Sequence, residues 1–148
     1  MVIERASPAD IPALAGLLSL LFAQEVEFTP DPAAQREGLS KIIGNPELGA
    51  VLVARAGGAI KGMANLLFTV STALGDRVAL LEDMIVAPQA RGRGLGTALM
   101  IEAISLARRR GCRRITLLTD GDNEAAHRFY ARHGFVASQM VPFRLVLT

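Results

Sequence analysis

The segment that most constrains this chain runs Val86-Ala87-Pro88-Gln89-Ala90-Arg91-Gly92-Arg93-Gly94-Leu95-Gly96-Thr97. It joins an apolar run to a helical pattern through alternating glycines. Gly92, Gly94 and Gly96 carry no side chains, so their backbone N–H groups can approach an anion closely. A helix that begins at Leu95 adds orphan N–H donors and the positive end of its dipole. Arg91 and Arg93 add positive charge. Together these features describe a pyrophosphate cradle between a strand and a helix. A purely geometric turn would account for the glycines but not for the two arginines. A Walker A loop requires lysine before the threonine, and Gly96 stands there instead. A dinucleotide fingerprint requires G-x-G-x-x-G after a first strand, whereas this spacing is G-x-G-x-G in mid-chain.

The flanking sequence places the cradle inside one α/β or α+β unit. Val2–Arg5 reads as a short strand. Ser7-Pro8-Ala9-Asp10 opens a helix, with serine to cap it, proline at its first position and an acid toward its positive end. Ile11, Leu14, Leu18, Leu21 and Phe22 follow at helical spacing. Asp31-Pro32 starts a second helix that ends near Gly44-Asn45-Pro46. Ala50–Arg55 and Ile60–Val70 flank Gly57-Gly58 as a hairpin. Arg77–Val86 is the next strand, and Leu95–Arg110 a long helix with a narrow polar stripe of Glu102, Ser105 and Arg109. Arg114–Leu118 reads as a strand, Asn123–His133 as a helix, and Phe135–Leu147 as one or two closing strands. Strands on both sides of the long helix imply a parallel crossover within a mixed sheet.

Composition narrows the partners. The chain has 148 residues, 51% of them hydrophobic and 20% charged, which suits one domain with one packed core. The net charge is only +2. The arginines cluster at 91–93 and 108–114, which fits a local anion site better than a nucleic-acid surface. The start lacks a signal-peptide pattern, and 11–23 is too short to span a bilayer of ~20 helical residues. No membrane association and a cytoplasmic location are the expectations. Cys112 is alone and has no neighbour at metal-ligand spacing, so neither a disulfide nor a metal is expected.

Around the cradle the chain resembles the GCN5-related N-acetyltransferase (GNAT) superfamily. Arg91, Gly94 and Gly96 match its phosphate-loop motif, and Leu81-Glu82-Asp83-Met84-Ile85-Val86 matches the preceding strand. Asn123-Glu124-Ala125-Ala126-His127-Arg128-Phe129-Tyr130, ending in Gly134-Phe135, matches a second family motif in the right order. The resemblance implies a single acetyltransferase domain over 1–148 with the acyl-CoA N-acyltransferase fold. That fold is a mixed central sheet, splayed in the middle, with helices on both faces. It further implies acetyl-coenzyme A as co-substrate. The pantetheine arm would pair with Met84, Ile85 and Val86. The pyrophosphate would rest on Arg91, Gly92, Arg93, Gly94, Leu95, Gly96 and Thr97, and Asn123 would meet the arm from the other side.

The chemistry implied is direct attack by a primary amine in a ternary complex. A lysine-like ammonium, with a pKa of ~10.4, is neutral in roughly one molecule in 2,500 at pH 7, so a base is needed. Glu82 is the candidate base, directly or through a water, and Asp83 is expected on the opposite face by strand alternation. A surface carboxylate or an ammonium counter-ion is the competing reading of Glu82. Tyr130, the family-matched acid, would protonate the departing thiolate, against a core role. His127 and His133 are expected to be exposed and uninvolved. The acceptor, a small-molecule amine or a protein amine, would be chosen by 22–31 and the 71–77 loop. Leu81-Glu82-Asp83 is also similar to the polyamine-acetylating branch. A CoA-binding sensor without turnover and a nucleotide-binding module are the alternative classes. Met140, Val141, Phe143 and Leu145 suit either a homodimer contact or a core.

Overall fold

The computed structural model describes all residues, 1–148. They divide into two compact units, Met1–Leu118 and Thr119–Thr148.

The first unit holds five strands in the order β1-β2-β3-β4-β5. These are β1 (Val2–Arg5), β2 (Gly49–Ala56), β3 (Ala59–Ser71), β4 (Asp76–Val86) and β5 (Ile115–Leu117). β1 to β4 pair antiparallel, and β5 joins β4 in parallel. The sheet is therefore mixed, as the crossover requires. The hairpin between β2 and β3 turns at Gly57 and Gly58, whose φ angles of 60° and 79° suit a tight turn between twisted strands.

Three helices cover this sheet: α1 (Ile11–Gln24), α2 (Pro32–Ile43) and α3 (Leu95–Arg109). Asp31 caps α2 by accepting from the Ala34 N–H at 3.2 Å, with Pro32 in the first turn. Ser7 and Asp10 form the reciprocal box before α1, and Asp10 also receives Arg55 at 2.7 Å. That contact gives Asp10 a partner beyond the dipole expected for it. α3 buries Leu95, Leu99, Met100, Ala103 and Leu106. Its polar stripe is tied by Arg109, which donates to Ser105 at 2.6 Å and Glu102 at 2.8 Å. Ile101 is exposed as well, so the solvated face is wider than the sequence pattern suggests. The core lies where α1, α2 and α3 meet the middle strands; Leu14, Leu39, Leu52, Val53, Met63, Leu66 and Leu99 are fully buried.

The second unit contains α4 (Glu124–Arg132), capped by Asn123, whose side chain accepts from the Ala126 N–H at 3.2 Å. The closing strands expected over 135–147 do not form: residues 136–148 hold neither helix nor strand. β-propensity needs a ladder partner to become a strand, and Pro142 removes a donor in mid-segment. Val136, Met140, Val141, Phe143 and Leu145 are all largely exposed.

Candidate active site

Two features of β4 define the site in the first unit. The first is an open edge. β5 pairs with β4 only from Ala79/Ile115 to Leu81/Leu117. Beyond Leu81 the β5 side of β4 has no strand, while β3 still pairs its other edge as far as Val86. The backbone of Met84, Ile85 and Val86 thus borders a gap, the splay expected in the middle of the sheet. The gap leads into the cradle. Gly92 and Gly94 take φ angles of 78° and 81°, which a side chain would disfavour. The first helical bond of α3 runs from the Ala98 N–H to the Gly94 carbonyl at 3.0 Å. The N–H groups of Leu95, Gly96 and Thr97 are therefore the orphan donors of that helix. Arg91 is exposed and donates from Nε to the Val86 carbonyl at 3.1 Å, which ties the cradle to the end of β4. Arg93 is exposed beside it. These donors and charges fit a pyrophosphate.

The second feature is a bulge. Asn65 of β3 pairs with Asp83 and Leu66 pairs with Leu81, so Glu82 has no partner. An extra residue in one strand breaks the alternation of side chains. Residues directly opposite each other share a face. Asn65 and Asp83 thus lie on one face, and Leu66 and Leu81 on the other. Glu82 is exposed at the bulge and Asp83 is half-buried.

Asp83 lines a cavity of about 280 Å³ between the sheet and helices α1 and α2. Its Oδ2 accepts from Asn65 Nδ2 at 2.8 Å, and its own N–H donates to Asn65 Oδ1 at 2.9 Å. The two bonds fix the orientation of the Asn65 amide. Burial pushes the Asp83 carboxyl up from its ordinary 3.8 to about 6; the Asn65 bond opposes this and the charge of Glu82 adds to it. A carboxylate of that pKa ionises near neutrality and suits a general base. Phe22, Phe28, Thr29 and Asp31 of the lining fall in the 22–31 segment expected to choose the acceptor; the 71–77 loop contributes none, and the remainder comes from α1, α2 and Asn65 of β3.

In the second unit Tyr130 sits in an aromatic cluster, edge-on to Phe129 at 5.6 Å and to Phe135 at 5.9 Å. His133 packs its ring 4.8 Å from Phe129, and His127 Nε2 lies 2.9 Å from the Asp120 carbonyl. The Asn123 oxygen is engaged in capping α4, which leaves its amide Nδ2 as a donor.

Met84, Ile85, Val86 and the cradle from Arg91 to Thr97 thus form one continuous stretch along the open edge. Glu82 stands at the bulge, away from the cavity lining. Asp83 and its partner Asn65 are the pair that sequence reasoning passed over. A bulge leaves no trace in residue pattern; the available signal was Asn65 inside the apolar run Met63–Phe68. No group of three or more histidine, cysteine or acidic residues is arranged to hold a metal. No helix is long and apolar enough to cross a membrane.

The family model described as Acetyltransferase (GNAT) family matches residues 14–135. An uncharacterized N-acetyltransferase, YhfO, from Bacillus subtilis is 30% identical over 91% of this chain and 89% of its own length. An uncharacterized N-acetyltransferase of Methanocaldococcus jannaschii is 42% identical over 43% of this chain, which spans only 28% of that relative. The aminoalkylphosphonate N-acetyltransferase of Salmonella typhimurium is 26% identical over 92% of this chain and 85% of its own. Among solved structures, a probable acetyltransferase superposes with a TM-score of 0.83 at 26% identity, covering 100% of this chain and 99% of that one. An aminoglycoside N-acetyltransferase, AAC(6')-Iy, solved in complex with CoA, gives a TM-score of 0.83 at 20% identity over 98% and 93% of the two chains. At that identity the likeness concerns the fold.

Proposed function

The chain belongs to the GNAT acetyltransferase family and is an acetyl-CoA-dependent N-acetyltransferase; from this premise we propose that it acetylates a small-molecule primary amine by direct attack in a ternary complex. The observation that carries this reading is the open edge of β4 running straight into the glycine-arginine cradle. Met84, Ile85 and Val86 would hold the pantetheine arm by strand-like pairing, Arg91 to Thr97 the pyrophosphate, and Asn123 Nδ2 the arm. The family match spans residues of both compact units, which supports treating 1–148 as one catalytic domain.

Acetyl-CoA supplies an activated thioester, so that a C–N bond forms to the amine as the C–S bond breaks. The protein's part is to move protons. A carboxylate of β4 takes the proton from the ammonium before attack. Asp83 is our assignment, because it lines the cavity and its pKa is poised near neutrality. Glu82 is the second reading, favoured by its exposure, which would let a water relay the proton. On the assignment of Asp83, Glu82 acts through its charge, which raises the pKa of its neighbour. Tyr130 gives its hydroxyl proton to the departing thiolate. The exposed apolar residues Met140, Val141 and Phe143 would suit burial against a second copy.

The test is thiol release from acetyl-CoA in the presence of a panel of amines, with the N-acetyl product identified by mass. Turnover with at least one amine is expected. Binding of acetyl-CoA without turnover of any amine would instead identify a CoA-binding sensor.

A further inference from the structure

The cavity beside Asp83 carries information about the acceptor that the cradle does not. Its apolar lining is Leu18 and Phe22 of α1, Phe28 of the connecting loop, and Ala34, Leu39 and Ile42 of α2. Phe22 and Phe28 form a tilted ring pair with centroids 5.5 Å apart. Its polar groups are largely committed to the protein. Gln35 donates to the Ala15 carbonyl and to Ser19, both at 2.9 Å, and accepts from the Asp31 N–H at 2.7 Å. Asn65 is spent on Asp83. Asp31 Oδ1 caps α2, whose positive dipole end offsets the charge of that carboxylate. Asp83 receives one side-chain bond, from Asn65, and so keeps acceptor capacity for a ligand. No lysine, arginine or histidine lines the cavity.

Two carboxylates line this apolar, aromatic box: Asp31 is exposed and caps a helix, which leaves Asp83 as the half-buried anion. A cation is matched there by charge, and an apolar or aryl body by the two rings. A phosphate, phosphonate or carboxylate on the acceptor would be desolvated with no cation to pair it, which is costly. The volume of about 280 Å³ lies near the lower end of small-molecule sites. We propose that the acceptor is a compact monoamine with an apolar aryl or branched-alkyl body, seated between α1 and α2 with its ammonium on Asp83, and that amines bearing an anionic group are rejected. The proposal rests on the acetyltransferase reading and deepens it. It also separates this chain from the relative named for aminoalkylphosphonates.

The test uses the full chain and acetyl-CoA with 2-phenylethylamine, 1,4-diaminobutane, aminomethylphosphonate and glucosamine 6-phosphate as acceptors. Thermal unfolding with acetyl-CoA alone is followed in parallel. The expected result is a kcat/KM for 2-phenylethylamine about tenfold or more above each of the others, on the scale that a few methylenes in an apolar pocket provide. Phe28→Ala, at a residue 43% exposed, should raise the KM for 2-phenylethylamine about tenfold and leave the KM for acetyl-CoA in place. Preference for the diamine or for either anionic amine overturns the proposal, as does an unchanged KM in Phe28→Ala. Turnover of none of the four, with the acetyl-CoA stabilisation intact, overturns the acceptor proposal alone. No turnover and no stabilisation would sink the acetyltransferase reading with it.

Discussion

At the scale of single residues the account turns on two neighbouring carboxylates with unlike surroundings. If Asp83 is the base, kcat/KM should climb as pH rises through about 6, where the carboxyl ionises. Asp83→Asn should then lower it by ~10²–10⁴, the usual worth of a positioned base. Glu82→Gln should do something different: it removes a like charge, so the acidic limb should move to lower pH with little loss at its plateau. A large loss in Glu82→Gln and a small one in Asp83→Asn would reverse the assignment. Stability gives a separate readout. The folded carboxyl sits above its ordinary 3.8, so its contribution to stability is full below that value and is lost as pH rises through about 6. Asp83→Asn should therefore unfold at a higher temperature than the parent above pH 6, and the gain should vanish toward pH 4. Tyr130 is the only tyrosine of the chain, and Tyr130→Phe should lower kcat by ~10²–10⁴ if it is the acid. Glu82 was legible as a carboxylate on the right strand. Asp83 was legible too, but its place in the cavity lining was not, because the bulge and the helices that enclose it lie outside the pattern of one strand.

At the scale of elements, the helices were the most readable part of the chain. Proline with a preceding Ser or Asp marked the starts of α1 and α2, and the structure places the turns there. The cradle was readable because the alternating glycines and flanking arginines are local chemistry, independent of distant partners. The closing strands were misread over 135–147 because a strand is a property of two segments, and one segment's apolar content says nothing of its partner. α3 is anchored on the sheet through Leu99, which is fully buried and lies against Gly62 of β3. Leu99→Ala should cost about 2–5 kcal/mol of stability, measured by chemical unfolding. Because it leaves every cradle N–H in place, the surviving folded protein should keep its KM for acetyl-CoA. A much smaller destabilisation would mean that α3 is not anchored as the burial implies.

At the scale of the whole molecule, one open strand edge divides the labour. On the proposed reading, donor contacts would line the end of β4 and the start of α3, and the acceptor would enter the cavity between the sheet and the paired helices α1 and α2. The acyl-CoA N-acyltransferase fold was an expectation of family resemblance, and the likeness to solved acetyltransferases bears it out; β5 is only three residues long, so its pairing with β4 ends at Leu81/Leu117. The cavity beside Asp83 was not legible in the sequence, since its walls come from α1, α2, β3 and β4 at once. Thermal unfolding followed by circular dichroism, with acetyl-CoA, ATP and NAD added separately, tests the central claim most directly. A ligand at about 100 times its dissociation constant adds about 2.7 kcal/mol to a folded state that alone binds it. That corresponds to a rise of roughly 2–8 °C in a domain of this size. The account predicts such a rise with acetyl-CoA and little with the two nucleotides. No rise with acetyl-CoA, or a larger one with ATP or NAD, would contradict it.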